Sequence, residues 1–376
     1  MNAFTRFSDR GSIVTLYKRS APLREKFMRS TLIAILILGV SVAACGGPST
    51  AIGSAVPTQF QSSSTLHQVS SMLSSGNISQ IALPPFFDAG PIVEGPDKNV
   101  WIGETENTSG PGRIARITPS GTMTVFNVGG AGGPSGLGSA VGALWFSSAR
   151  GIGKMDTSGH FRIFPIPSGM CVGRSIVQGP DHNVWFTDPC SNSIARVTPA
   201  GHVDKFAVPS SYQPQFITTA PDGNLWFSVH TPNMVAKTDT SGHITFVPIR
   251  QAFVPREIID GHDGFLYLVD SYLGNVVRIA LDGSSTNYSF GADFSRAQDV
   301  GFALGPDHQM WMVSTSGKLM KFNPRTGTFS NAIDLPAGQG KPPVGEKGIV
   351  TGSDKDMWFT SGDVGGSADY VGVYEL

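Results

Sequence analysis

Residues 179–209 read GPDHNVWFTDPCSNSIARVTPAGHVDKFAVP. A turn at Gly179-Pro180-Asp181 precedes the apolar-aromatic run Val184-Trp185-Phe186. A further run, Ile194–Thr198, enters the tight turn Pro199-Ala200-Gly201 and is followed by Val203–Val208. Proline presets the backbone angle at the first turn position, and the Asp side chain can bond the backbone beyond it. With Ser175–Gln178 ahead of the turn, the stretch supplies four short strands separated by turn residues, a single antiparallel sheet.

The pattern recurs on both sides. Aromatic anchors stand at Trp101, Trp145, Trp185, Trp226, Tyr267, Trp311 and Trp358, spaced by 44, 40, 41, 41, 44 and 47 residues. Six of the seven follow a Gly-Pro-Asp-like turn; the second copy, with Gly138-Ser139-Ala140, lacks it. A four-stranded unit of about 40 residues is the period of a propeller blade, which cannot bury both faces alone. The expectation is an all-β, seven-bladed β-propeller of four-stranded blades, its anchor aromatics packed as core between neighbours. The last copy has three strands, at its end Val371–Leu376, and Ile78–Pro84 precedes the first copy as an orphan fourth strand. Pairing of the two would close the ring and remove its open edges.

Composition agrees with this class. Charged residues are 15% of the 376-residue chain, against roughly 25% in an average soluble domain. Three Cys cannot staple a domain of this size. Ahead of the repeats, the apolar run Leu32 to Ala44 follows basic residues Arg24, Lys26 and Arg29 and ends in Val42-Ala43-Ala44-Cys45-Gly46. The run is too short to span a bilayer, which takes ~20 apolar residues. Small residues before a Cys resemble the lipobox of bacterial lipoproteins, which implies lipidation of Cys45; an ordinary cleaved signal ending near Ala44 is the alternative. Either Met1 or Met28 serves as the start. The expected organisation is a signal peptide over 1–45, a Ser/Thr/Gly-rich flexible tether over 46–75, and the propeller over 76–376. The expected address is extracytoplasmic: a lipoprotein of the cell envelope, at the outer membrane or cell surface, attached to the membrane by its lipid. Residues 1–44 hold seven basic and two acidic residues, so the mature body has a net charge of −6. A mildly acidic monomer without a basic cluster excludes nucleic acid as a partner.

The string Gly-Pro-Asp-x-x-Val-Trp-Phe-Thr, then Ile-Ala-Arg-Val-Thr-Pro-x-Gly, then Phe-x-Val-Pro (Gly179 to Pro209) resembles the repeat of the streptogramin B lyase (virginiamycin B lyase) family. The likeness runs over residues 78–376 and implies a seven-bladed propeller. In active members it also implies a Mg2+-assisted elimination that opens a cyclic depsipeptide at its ester. The family pattern has a His just after one blade's second strand. On the next blade it has a Glu three residues past the anchor, a His two further on, and a second Glu in the outer strand. The glutamates hold Mg2+ and the second His is the acid/base. Here His230 matches the first His and Asp270 the first Glu; Tyr272 replaces the second His, and Thr286 lies near the expected outer-strand Glu. The resemblance thus implies a catalytic set of His230, Asp270 and Tyr272, with Asp270 as the Mg2+ ligand.

That departure weakens the chemistry. Tyr is a poor general base near neutral pH, and one carboxylate makes a thin Mg2+ site. Two readings stay open: an altered binding propeller taking a small molecule, glycan or protein on its loop face, or a divergent lyase. His230 and Asp270 as plain loop residues is the bland form of the first. Candidate ligand-binding residues at that face are Glu104, Glu106, Arg174, Asp188, Arg256 and Arg296, a mixture of carboxylates and guanidiniums suited to a zwitterionic or hydroxylated ligand. Six other His recur at fixed turn registers on the opposite face or sit in turns there, which argues for structural roles. The third-strand cations Arg116, Lys154, Arg196, Lys237, Arg278 and Lys321 also keep one register. Cys171 and Cys190 fall on the loop face of the third blade, and export predicts a disulfide between them.

Overall fold

The structure, a computed structural model, describes residues 59–61, 64–67, 73–75, 77–85, 87–105, 111–131, 133–231, 234–250, 255–270, 272–290, 300–336, 348–361 and 369–376. The export segment with Cys45, and the candidate ligand residues Glu106 and Arg296, lie outside these.

The described strands form seven antiparallel sheets. Blade 3 is typical: Ile176–Gln178, Val184–Asp188, Ser193–Val197 and Val203–Ala207 pair in chain order. Alternation alone does not explain the second strands, whose residues are buried on both faces, as in Val184–Asp188, Leu225–Val229 and Met310–Ser314. They lie between neighbouring blades, where there is no solvent side.

Each anchor is a wedge into the next blade. Trp145 packs with Val184, Phe186, Ala195 and Val197 of blade 3, and Trp185 with Ile217, Leu225 and Phe227 of blade 4. Trp226, Tyr267 and Trp311 repeat this against blades 5, 6 and 7. Trp358 completes the circuit against Ile92, Val100 and Ile102 of blade 1, and Trp101 returns to blade 2. At roughly 200 Å² per aromatic and about 25 cal/mol per Å², each wedge contributes up to ~5 kcal/mol. Ring closure is as the repeats predict: Ile78–Ala82 pairs with Tyr370–Tyr374, Ile78 opposite Tyr374 and Ala82 opposite Tyr370. Asp369 reinforces the seam by accepting the Ala89 N–H at 2.6 Å.

The turn end of the ring repeats one device. In blades 1, 3, 4, 6 and 7 the turn Asp accepts the anchor indole N–H, at 2.8–3.2 Å (Asp97, Asp181, Asp222, Asp307, Asp354). In blade 5, Asp263 accepts the Tyr267 hydroxyl at 2.7 Å. Gly179 leaves room for this approach, since a Cβ there would stand 2.4 Å from the Trp185 ring, while blade 4 makes the same bond with Ala220 at this position. The residue after the turn Asp is left-handed, with φ 64° at Lys98, 57° at His182, 58° at His308 and 72° at Lys355. Five of the third-strand cations, Arg116, Lys154, Arg196, Lys237 and Lys321, lie over the anchor rings of Trp101, Trp145, Trp185, Trp226 and Trp311, and Arg278 lies over Phe265. Their fixed register is thus a packing register. Blade 2, without the turn Asp, uses the two-residue hairpin Val141-Gly142, and Trp145 donates to the Ala140 carbonyl instead.

Part of the polar 46–75 segment is strand. Gln59–Gln61 adds to the outer edge of blade 2, Ser64–His67 to blade 1 and Leu73–Ser75 to blade 7. The composition that reads as a free tether conceals this, because edge pairing uses backbone groups that every residue but proline carries.

Candidate functional site

The loops after the second strands, and the connections into the first, gather at the end of the ring opposite the Asp turns. The position three residues past the anchor begins this end. It carries Glu104, Asp188 and Asp270 in blades 1, 3 and 5, all fully buried. Each carboxylate serves its own blade. Glu104 takes a two-oxygen ion pair from Arg113, with Nε at 3.0 Å from both oxygens, and the guanidinium lies over Phe87. Asp188 accepts from the backbone N–H of Cys171 and Ser191 and from the hydroxyls of Ser191 and Ser193. Asp270 accepts the N–H groups of Tyr272 at 3.0 Å and Leu273 at 3.1 Å.

Cys171 and Cys190 are joined, with Cα atoms 5.5 Å apart, and Asp188 lies beside them. The bond and the Asp188 hydrogen bonds together fix the entry to blade 3 against its second-to-third-strand loop.

The residues suggested by the family pattern lie on adjacent blades. His230 ends the second strand of blade 4, exposed, with its backbone N–H on the Gln213 carbonyl. Tyr272 is 66% exposed and points its ring to solvent while its N–H caps Asp270. Thr286 is remote from both. The ladder places Asp270 opposite Asn275 and Asn275 opposite Ser289, whereas Thr286 pairs with Arg278 three residues toward the turn end. This donor set does not fit Mg2+. Its one carboxylate is buried and holds two backbone N–H groups, and no second carboxylate stands with it among the described residues.

Charged groups converge instead at the ring's centre. A cavity of about 260 Å³ is lined by the first strands, among them Arg174, Ser175, Thr218, Arg256 and Glu257. Glu257 is half-buried, and its carboxylate accepts the Phe302 N–H of the neighbouring blade at 2.9 Å. Burial pushes its carboxyl up to about 8, and the single backbone N–H only partly opposes this. Its place in the ladder is distinctive. The residues preceding the equivalent paired positions Ile92, Leu137, Ile176, Ile217, Phe302 and Ile349 are Pro91, Gly136, Ser175, Phe216, Gly301 and Gly348. Glu257 alone among the seven is ionisable. Of the sequence candidates, then, Arg174 and Arg256 reach the cavity, while Glu104, Asp188 and Asp270 are turned into their own blades. Glu257 was missed; its signal is a charge within a register that is otherwise small or apolar.

The model of the virginiamycin B lyase family matches residues 78–368. A solved streptogramin B lyase is 23% identical, covering 79% of this chain and 96% of its own, with a TM-score of 0.66. Virginiamycin B lyase from Staphylococcus aureus is also 23% identical, over 80% and 99%, with a TM-score of 0.65; a catalytically inactive variant of it has been solved with quinupristin. The extracellular domain of a putative one-component system from B. thetaiotaomicron is 14% identical, over 83% of this chain and 43% of that one, with a TM-score of 0.59. At these identities the likeness to the solved structures is one of fold. No curated protein matches the chain.

Proposed function

The chain belongs to the virginiamycin B lyase family, and from that premise we propose a propeller that keeps the family's ring but binds a small zwitterionic ligand at its central channel rather than breaking an ester. One observation carries the reading: Arg174, Arg256 and Glu257 converge on the central cavity, whereas Asp270 is buried in a turn. A ligand carboxylate suits the guanidiniums, and a ligand ammonium suits Glu257. Glu257 would lose its proton as an ammonium arrives, so binding of a cation-bearing ligand near pH 7 should release a proton. Titration calorimetry with free α-amino acids and dipeptides, in two buffers of different ionisation enthalpy, tests this. Binding with buffer-dependent heat is expected, with the cation preference lost in Glu257→Gln. Absence of binding by every probe would refute the reading.

The second reading, a divergent lyase, rests on exposed His230 at the loop end next to blade 5. Incubation with quinupristin and Mg2+, with His230→Ala as control, should give no ring opening; turnover lost in the variant would install the enzyme in place of the binding module. Export and lipid attachment at Cys45 belong to the same proposal, supported by the apolar run Leu32 to Ala44 and by the Cys171–Cys190 disulfide, which suits an oxidising compartment. A Cys45→Ser variant should move from the membrane fraction to the soluble one.

A further inference from the structure

In blades 1, 3, 4 and 6 the third-strand cation is ion-paired to the turn Asp, whereas in blades 2 and 5 no such pair forms among the described residues. Arg116, Arg196, Lys237 and Lys321 face turn carboxylates Asp97, Asp181, Asp222 and Asp307 at 3.3–3.9 Å. The outer-strand residue directly opposite the third-strand cation is Thr124 in blade 1, Asp204 in blade 3 and Thr245 in blade 4, and Thr286 is opposite Arg278 in blade 5. In blade 3 this gives Arg196 two carboxylates, Asp181 and Asp204. Blade 2 has no turn Asp, and the residue opposite Lys154 is Arg162. Directly opposed residues of an antiparallel pair share a face, so two like charges stand side by side, which is unfavourable. Neither Lys154 nor Arg162 is ion-paired among the described residues.

Space exists where a counter-charge would go. In blades 1 and 3 the guanidinium spans the gap to the next blade, Arg116 donating to Thr157 O at 2.8 Å and Arg196 to Thr240 O at 2.9 Å. In blade 2 the shorter Lys154 faces Pro199, the residue at that turn position of blade 3. A cavity of about 260 Å³ lies there, lined by Lys154, Asp156, His160, Arg162 and Pro199, with Phe161 and Phe164 beneath. Asp156 forms no ion pair with Lys154 or Arg162 among the described residues; its oxygens are directed to the N–H groups of Ser158 and His160 and to the His160 ring at 3.2 Å.

We infer that the cleft between blades 2 and 3 at the turn end is a binding site for a small oxyanion, the phosphate, sulfate or carboxylate group of a ligand, held between Lys154 and Arg162. The anion takes the place that the Asp204 carboxylate occupies beside Arg196. This site is on the opposite end of the ring from the channel cluster and stands independently of it.

The test is the melting temperature at pH 7 and constant ionic strength, titrating low millimolar phosphate, sulfate or acetate against chloride. A saturable rise with phosphate and sulfate alone identifies a tetrahedral oxyanion; a rise with acetate as well extends the class to carboxylates. Arg162→Asp, which rebuilds the blade 3 arrangement, should raise the melting temperature in chloride. It should also increase the half-saturating anion concentration by about tenfold or more, the size of one lost charge-assisted contact. Lys154→Gln gives an independent loss of the response. Lys205→Asp makes the same charge change on the exposed outer strand of blade 3 and should leave the response intact. No saturable rise in the wild type, or an equal rise in Arg162→Asp, would overturn the inference, as would loss of the response in Lys205→Asp.

Discussion

The two ends of the ring obey different rules. At the turn end, one side-chain arrangement recurs in blades 1, 3, 4 and 6: an Asp on the indole N–H and a cation over the ring. At the loop end, corresponding positions hold Glu104, Asp188 and Asp270 in three blades, and each is neutralised differently: by Arg113, by two serines and two N–H groups, and by a turn. The turn end is under a packing constraint that every wedge imposes alike. The loop end is free to differ, and there a buried carboxylate must find whatever partner its own blade supplies. What this teaches is that burial, more than position, separates a structural acid from a candidate functional one.

Experiments can break or sharpen this contrast. The largest effect belongs to the wedges. Trp226→Ala should cost about 3–5 kcal/mol in denaturant unfolding, with no compensating loop change. Opening the loop-end disulfide by Cys190→Ser should cost roughly 3 kcal/mol, from a loop closed over a sequence separation of 19. Asp222→Ala should cost ~1–2 kcal/mol, because the Trp226 N–H is left buried without an acceptor. The smallest is a gain. Val141 is a β-branched residue at φ 49°, and Val141→Asn should stabilise by about 1 kcal/mol, since Asn tolerates the left-handed region.

A pH scan separates the ends by sign. For Asp222 burial raises the carboxyl, but hydrogen bonds from Asn224, Trp226 and Lys237 outweigh it, so the group titrates below its ordinary 3.8. Its contribution is present above that value and is lost as pH falls through the lowered one. Glu257 is raised from 4.5 to about 8, so its contribution is full below 4.5 and is lost as pH rises toward 8. Glu257→Gln should therefore flatten the fall in melting temperature across that window, and Asp222→Asn the fall at the acid end.

Much of the ring was legible because wedges repeat. Trp101 through Trp358 mark the blades, the orphan strand at Ile78 finds its place by elimination, and the order of turns assigns Arg174 and Arg256 to the loop end. The rest was hidden for physical reasons. Whether Asp270 faces solvent depends on the turn that Tyr272 and Leu273 make, and no spacing encodes that. Glu257 sits beside Arg256, immediately ahead of the first strand Ile258–Asp260, in a stretch that reads as ordinary connecting sequence. The edge strands within 59–75 lie in a segment of mostly polar composition and add to blades 2, 1 and 7 by backbone pairing.

The seam between Ile78–Ala82 and Tyr370–Tyr374 also governs how the molecule comes into being. A polypeptide emerging amino terminus first presents one half of its clasp at the outset and the other only with its final residues. Until then blade 7, whose Trp358 wedges against blade 1, is incomplete, and blades 1 and 6 wait with unpaired flanks in whatever compartment receives the nascent chain. Late folding, and dependence on protection during synthesis, are therefore built into the circular design rather than into any single residue.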